Sequence, residues 1–123
     1  FIMFIVALIL GLFLVTALNL LMHILTMFTL DEKGTMITYS VIAEIFMGGT
    51  IPIPFFPTWL KHIAEFLPFR FIGDFPFRIY SNSIPLEEGY ILIIGSIIWI
   101  IITISLGYLI SRVSLRKAVI QGG

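Results

Sequence analysis

No charged side chain occurs between residues 1 and 30. At about 1.5 Å per residue this run makes a helix about 45 Å long, against a bilayer hydrocarbon core of about 30 Å. It therefore crosses with tilt, or with its ends among headgroups. A second uncharged run, residues 89–111, is rich in isoleucine, with Trp99 in its middle and Tyr90 and Tyr108 near its ends. Aromatics at both ends fit the interfacial belts of a span. Charged residues make up 11% of the chain, where a soluble domain carries about a quarter, so water could not solvate its surface. The expected fold class is all-α: a polytopic helical membrane protein.

Between these runs lies a third apolar stretch, residues 35–56, whose lone charge is Glu44. It follows the turn Asp31-Glu32-Lys33-Gly34, where Asp31 or Thr35 can cap a new helix. Pro52 and Pro54 end or bend that helix near its far side. Three spans result, over about 1–30, 35–56 and 89–111. Two antiparallel helices joined by so short a turn bring Glu44 level with Asn19 and near His23. A carboxylate at that depth costs about 2.5 kcal/mol or more against lipid, so Glu44 is expected to face protein or water. Asn19, His23 and Glu44 are thus a candidate interhelical or pathway cluster, either locking the first two spans together or meeting a polar or cationic substrate.

Residues 48–80 hold five of the six prolines and seven of the twelve phenylalanines. Such a segment is too broken for an ordinary span and too aromatic for water, which places it at a membrane interface. Residues 58–67 read as a short amphipathic helix, preceded by Pro57, with Thr58 as a cap and Pro68 as a stop. Trp59, Leu60, Ile63, Phe66 and Leu67 form its apolar side, and Lys61, His62 and Glu65 the other. Beyond it, Arg70, Asp74 and Arg78 recur every four residues among phenylalanines, reading as i, i+4 ion pairs along a solvated or headgroup-facing edge, with a substrate contact as the alternative and Pro76 limiting the helix. The outer segment is 57–80, with a re-entrant or interfacial helix. Arg112, Arg116 and Lys117 follow the last span and anchor the 112–123 tail in the cytoplasm by the positive-inside rule.

Net charge is zero, giving no sign of nucleic-acid binding, and there is no cysteine. No phosphate-binding glycine loop, metal-ligand spacing or nucleophile constellation is present, so no catalytic or metal residue is assigned and no cofactor is expected on this chain. The chain opens inside an apolar run far longer than a signal-peptide core and is read as part of a longer protein. Two other classes fit the composition. One is a small structural or regulatory membrane subunit that binds a partner through the aromatic segment. The other is an intramembrane lipid-modifying enzyme, for which His23, Glu44 and His62 are the available acid–base groups.

Four ordered blocks carry a family resemblance: Gly48-Gly-Thr-Ile-Pro-Ile-Pro-Phe-Phe-Pro-Thr-Trp-Leu, Phe66-Leu-Pro-Phe-Arg, Phe75-Pro-Phe-Arg-Ile-Tyr and the terminal Val119-Ile-Gln-Gly-Gly. Together they resemble permease subunits of type-two ABC exporters, nearest the bacterial branch grouped with daunorubicin exporters. Met47-Gly48 stands where the family usually has Ser-Gly, and Pro54 where it often has a polar residue. The resemblance implies the C-terminal half of a six-span permease in the cell membrane, with Pro52, Pro54, Pro57, Trp59, Phe66, Pro68, Arg70, Asp74 and Arg78 in its outer gate. It also implies a second permease, homo- or heterodimeric, and a cytosolic ATPase subunit that carries the ATP.

Overall fold

The computed structural model describes residues 2–28, 31–82 and 84–122, excepting the side chains at 114 and 117–122. The expected first-span end at Leu30, the Lys117 side chain of the anchor and the side chains of the terminal block lie outside the described residues. Two long helices frame the molecule: α1 (Ile2–Leu25) and α5 (Leu86–Gly122). Between them come α2 (Glu32–Met47), α3 (Thr58–Phe66) and α4 (Asp74–Tyr80), with short 3-10 turns at Ile53–Phe55 and Pro68–Phe71.

Helices α1 and α5 pack side by side in the same direction. Met3 lies against Gly89 at one end and Ile24 against Gly107 at the other. The inward stripe of α1 is Ala7, Gly11, Leu14 and Leu18, spaced i, i+4, i+7, i+11. That of α5 includes Gly89, Leu92, Ser96 and Thr103. The buried hydroxyls need no outside partner: Ser96 Oγ donates to the Leu92 carbonyl (3.1 Å) and Thr103 Oγ1 to that of Trp99 (2.7 Å). Among the described residues, two helices are long and apolar enough to cross a membrane, Ile2–Phe28 and Leu86–Val113. In each, about a fifth of the most apolar window (22%) is buried within the chain. A core helix of a water-soluble domain would be mostly covered, so these two present apolar surface that only lipid or another membrane chain can meet.

Helix α2 begins at Glu32, so Glu32, Lys33 and Gly34 of the expected turn form its first turn. Asp31 caps it, accepting from the Gly34 N–H at 2.9 Å. Its end comes earlier than the prolines suggest. Gly48 adopts the left-handed conformation (φ 84°), the Gly48 N–H reaches the Ile45 carbonyl and the Gly49 N–H that of Glu44, both at 3.2 Å. This paired glycine closure ends the helix at Met47, several residues before Pro52. Sixteen residues make about 24 Å of helix, short of a full crossing by itself. The expected continuous stretch over 35–56 is thus a helix followed by a bend and a 3-10 turn.

The remaining segment folds into a hairpin. Pro68 forces the preceding Leu67 into extended backbone (ψ 157°), which ends α3. Pro76 is tolerated because it falls in the first turn of α4, where no intrahelical donor is lost. Thr58 makes no side-chain cap; Pro57 occupies the cap position instead. The turn between the arms is wedged between the long helices. Phe71 and Phe75 join Ala7, Leu14, Leu18 and Leu92 in the main buried cluster. Close approach is permitted by glycine: a Cβ on Gly11 would lie 3.3 Å from the Phe71 carbonyl oxygen, and one on Gly95 2.9 Å from the Phe71 ring. Gly11 and Gly95 each lie nine residues into their helices, about 13 Å from the ends where α1 and α5 begin. Phe66, at the foot of α3, meets Trp99 edge-on with centroids 6.1 Å apart. The arm then climbs back until Tyr80 meets Phe4 at 5.2 Å.

Candidate functional site

The hairpin carries charge into the bundle. Arg70 and Asp74 are 8% and 7% exposed, so the expected solvated edge is not formed. The reason lies in packing: Phe71 and Phe75, neighbours of the two charges in sequence, must both reach the core, and the short turn drags the charges in with them. The expected i, i+4 pair forms in one of its two halves. Arg78 Nε lies 3.0 Å from Asp74 Oδ2. Its N–H is not aligned on that oxygen, which is fully buried and accepts no well-directed hydrogen bond. The contact is one of charge more than of direction.

Arg70 forms no ion pair with Asp74, because residues 68–73 form a 3-10 turn and bend and do not continue α4 downward. Its Nη1 donates to the Glu65 carbonyl at a long 3.4 Å, its cation rests 5.6 Å from the Phe71 ring centroid, and its buried Nε has no partner. Burial pushes the Asp74 carboxyl above its ordinary range, with Arg78 and then Arg70 acting in opposition. Burial likewise lowers the Arg70 guanidinium, opposed chiefly by Asp74 and Glu65.

Helix α2 rests on this hairpin more than on α1. Tyr39 packs against Phe69 (6.1 Å between centroids), and the Met47 carbonyl sits where a Cβ on Gly73 would come within 2.9 Å. An open cleft of about 330 Å³ remains at the end of α2, lined by Met47, Gly48, Gly49, Pro52, Gly73, Asp74 and Phe77. Another, of about 510 Å³, separates α1 from α2 near their connection, bounded by Met22, Thr35, Thr38, Tyr39 and Ile42 among others.

That splay keeps the other expected cluster apart. Asn19, His23 and Glu44 are all exposed, and among the described residues no hydrogen bond or ion pair joins them. Glu44 instead lies beside Gly49 and is exposed, whereas Tyr39, Ala43 and Phe46 of the same helix turn inward. His62, the other acid–base candidate, is exposed on α3. Along α3 the apolar side divides. Leu60 and Ala64 pack on Ile53 and Phe56, while Trp59, Ile63 and Phe66 point outward. Pro52, Pro54 and Pro57 are exposed along the approach to α3, and Pro68 is buried at its foot. Arg112 and Arg116 are exposed on α5, with Arg112 5.9 Å from the Tyr108 ring centroid. Sequence reasoning missed Gly95 and Gly73 as contact points, although a glycine inside an isoleucine-rich span is itself a sign of close approach.

A family description, ABC-2 family transporter protein, matches residues 1–122. Neither the curated proteins nor the solved structures contain a significant match to the chain. The family is one of membrane transport components that associate with an ATP-binding subunit. With two membrane-capable helices whose apolar sides stay open and a match over nearly its whole length, the chain belongs to the ABC-2 transporter family and is a permease component of an ABC transporter.

Proposed function

We propose that the chain is the C-terminal half of an exporter permease of the daunorubicin-exporter-like branch, crossing the cell membrane three times. In this reading the Asp31-capped start of α2 and the tail from Arg112 are cytoplasmic, and residues 48–80 form a re-entrant hairpin entering from outside as the outer gate. A separate ATPase subunit and a second permease complete the transporter.

The observation that supports it most is the parallel course of α1 and α5. Two parallel spans can be joined only if the chain between them crosses back. Helix α2 supplies about 24 Å of that return, and the segment from Gly48 to the head of α3 supplies the rest. Glu44 then lies about 18 Å from the start of α2, on a side left open among the described residues. A carboxylate at such depth is costly against lipid, so that side of α2 faces the pathway or the second permease.

The test is Glu44→Gln in the complete permease, purified with its ATPase subunit and reconstituted. The proposal expects the complex to assemble with export lost or altered in specificity. Unchanged export in Glu44→Gln and also in Glu44→Leu would remove Glu44 from the pathway. Failure of any ATPase subunit to co-purify with the wild-type permease would remove the whole reading.

A further inference from the structure

Asp74 sits between two cations and serves one of them. Arg78, one helical turn toward the end where α1 and α5 begin, pairs with it at 3.0 Å. Arg70, on the other side and deeper, is buried with an unpartnered Nε and one long hydrogen bond. A guanidinium in such a place is costly when left nearly unsatisfied. Arg78 is better placed than Arg70 to go without a carboxylate, since its side chain keeps 18% exposure whereas Arg70 is buried.

We propose that Asp74 is an exchange point, paired with Arg78 in the conformation seen here and with Arg70 in a second conformation of the hairpin. The inference rests on the permease reading and adds a moving part to it. The two arrangements are balanced in kind: one leaves Arg70 underserved in the interior, and the other releases Arg78 toward water.

Helix α2 is placed to drive the change. Its Tyr39 presses on Phe69, next to Arg70, and its Met47-Gly48 end presses on Gly73 and Asp74. The cleft of about 510 Å³ between α1 and α2 gives it room to tilt. A tilt moves the Arg70 turn relative to the Asp74 carboxylate, while Pro76 keeps the turn from simply winding into α4. The other charges within range of Arg70 are Glu65 on α3 and Glu88 at the head of α5. Neither carboxylate pairs with Arg70 in this conformation.

The experiment uses the complete transporter in lipid nanodiscs, with cysteines elsewhere in the assembly replaced. Spin labels go on Phe77→Cys in α4 and Tyr90→Cys in α5, both exposed positions. Pulsed electron–electron distances are read without nucleotide and with ATP trapped by vanadate. The expected wild-type result is two distance populations whose ratio shifts by about fivefold or more on trapping. Arg70→Gln should hold the nucleotide-free population in both conditions, and Arg78→Gln should favour the other in both.

The double variant Asp74→Arg/Arg78→Asp guards against mere misfolding. It restores an ion pair within α4 but sets two arginines against each other at 70 and 74. A purely structural pair predicts that the swap recovers the wild-type shift, whereas exchange predicts an assembled protein locked in one population. Recovery by the swap, a normal shift in Arg70→Gln, or loss of the shift in Glu65→Gln but not in Arg70→Gln would each overturn exchange through Asp74. A wild-type distance that never shifts while the bound ATPase turns over normally would overturn the exchange and leave the permease reading standing. If no ATPase subunit co-purifies, that reading fails first and the exchange fails with it.

Discussion

The hairpin at 48–80 and helix α2 treat their charges in opposite ways. The hairpin draws Arg70 and Asp74 inside, where Arg78 and the Glu65 carbonyl serve them in part and Arg70 Nε and Asp74 Oδ2 stay without a directed hydrogen bond. Helix α2 leaves Glu44 exposed on a side left open among the described residues. In water the expectation would be the reverse, with the crowded aromatic segment as a surface loop and the lone carboxylate in an apolar helix as a buried group. In a membrane chain, burial follows from which surfaces find a protein neighbour. The hairpin has three helices around it, whereas α2 has one good neighbour and an open side. The hairpin is therefore enclosed by this chain's own helices, whereas one side of α2 is left open among the described residues.

The sharpest way to break this comparison is to remove a carboxylate from each region. Asp74→Leu removes the carboxylate that pairs with Arg78 and whose charge opposes the burial of Arg70, and should destabilise the fold by about 3 kcal/mol. Glu44→Leu, made on an exposed side, should stay within about 0.5 kcal/mol for the isolated chain. Unfolding in mixed micelles measures both, and equal losses would mean that α2 is packed like the hairpin. Next in size are the glycines. Gly95→Leu drives a side chain into the Phe71 ring and should cost about 1–3 kcal/mol, while Gly107→Leu has Ile24 no nearer than 4.0 Å to its Cβ and should cost much less. If the two cost the same, the hairpin is not seated on α5.

The smallest effect is a pH slope. Because the folded protein holds Asp74 above its ordinary value, the folded state binds more protons than the unfolded one between about pH 3.9 and the raised value. Asp74's contribution to stability is therefore greatest below that window and falls as pH rises through it. Asp74→Asn should remove this slope whatever it does to overall stability. A wild-type slope of the opposite sign would show the two arginines outweighing burial.

How much of this was legible depended on what a given residue answers to. Two long apolar helices, the Asp31 cap and the stop at Pro68 follow from local chemistry: two helices are long and apolar enough to cross a membrane, Asp31 caps α2, and α3 ends before Pro68. The end of α2 was misjudged because the prolines are conspicuous while Gly48-Gly49 acts first, through a left-handed backbone that a glycine pair adopts cheaply. The candidate site was less legible. Four-residue spacing revealed the Asp74–Arg78 pair but not its burial, which depends on Phe71 and Phe75 finding Gly95 and Gly11 on distant helices. Asn19, His23 and Glu44 were matched by depth alone, and depth says nothing about which way each helix is turned or how far α2 splays.

The measurement that tests the account most directly is a crosslink between the foot of the hairpin and the middle of α5. The Phe66 and Trp99 rings meet with centroids 6.1 Å apart, and residues 1–123 contain no cysteine. Phe66→Cys with Trp99→Cys, in the complete protein in native membranes with any other cysteines replaced, should be joined within one chain by a short membrane-permeant bifunctional thiol reagent, while either single variant should not. A folded, membrane-inserted double variant that is not joined, with the cysteine at 66 freely labelled by a membrane-impermeant maleimide, would show the segment lying outside the bundle and would contradict the account.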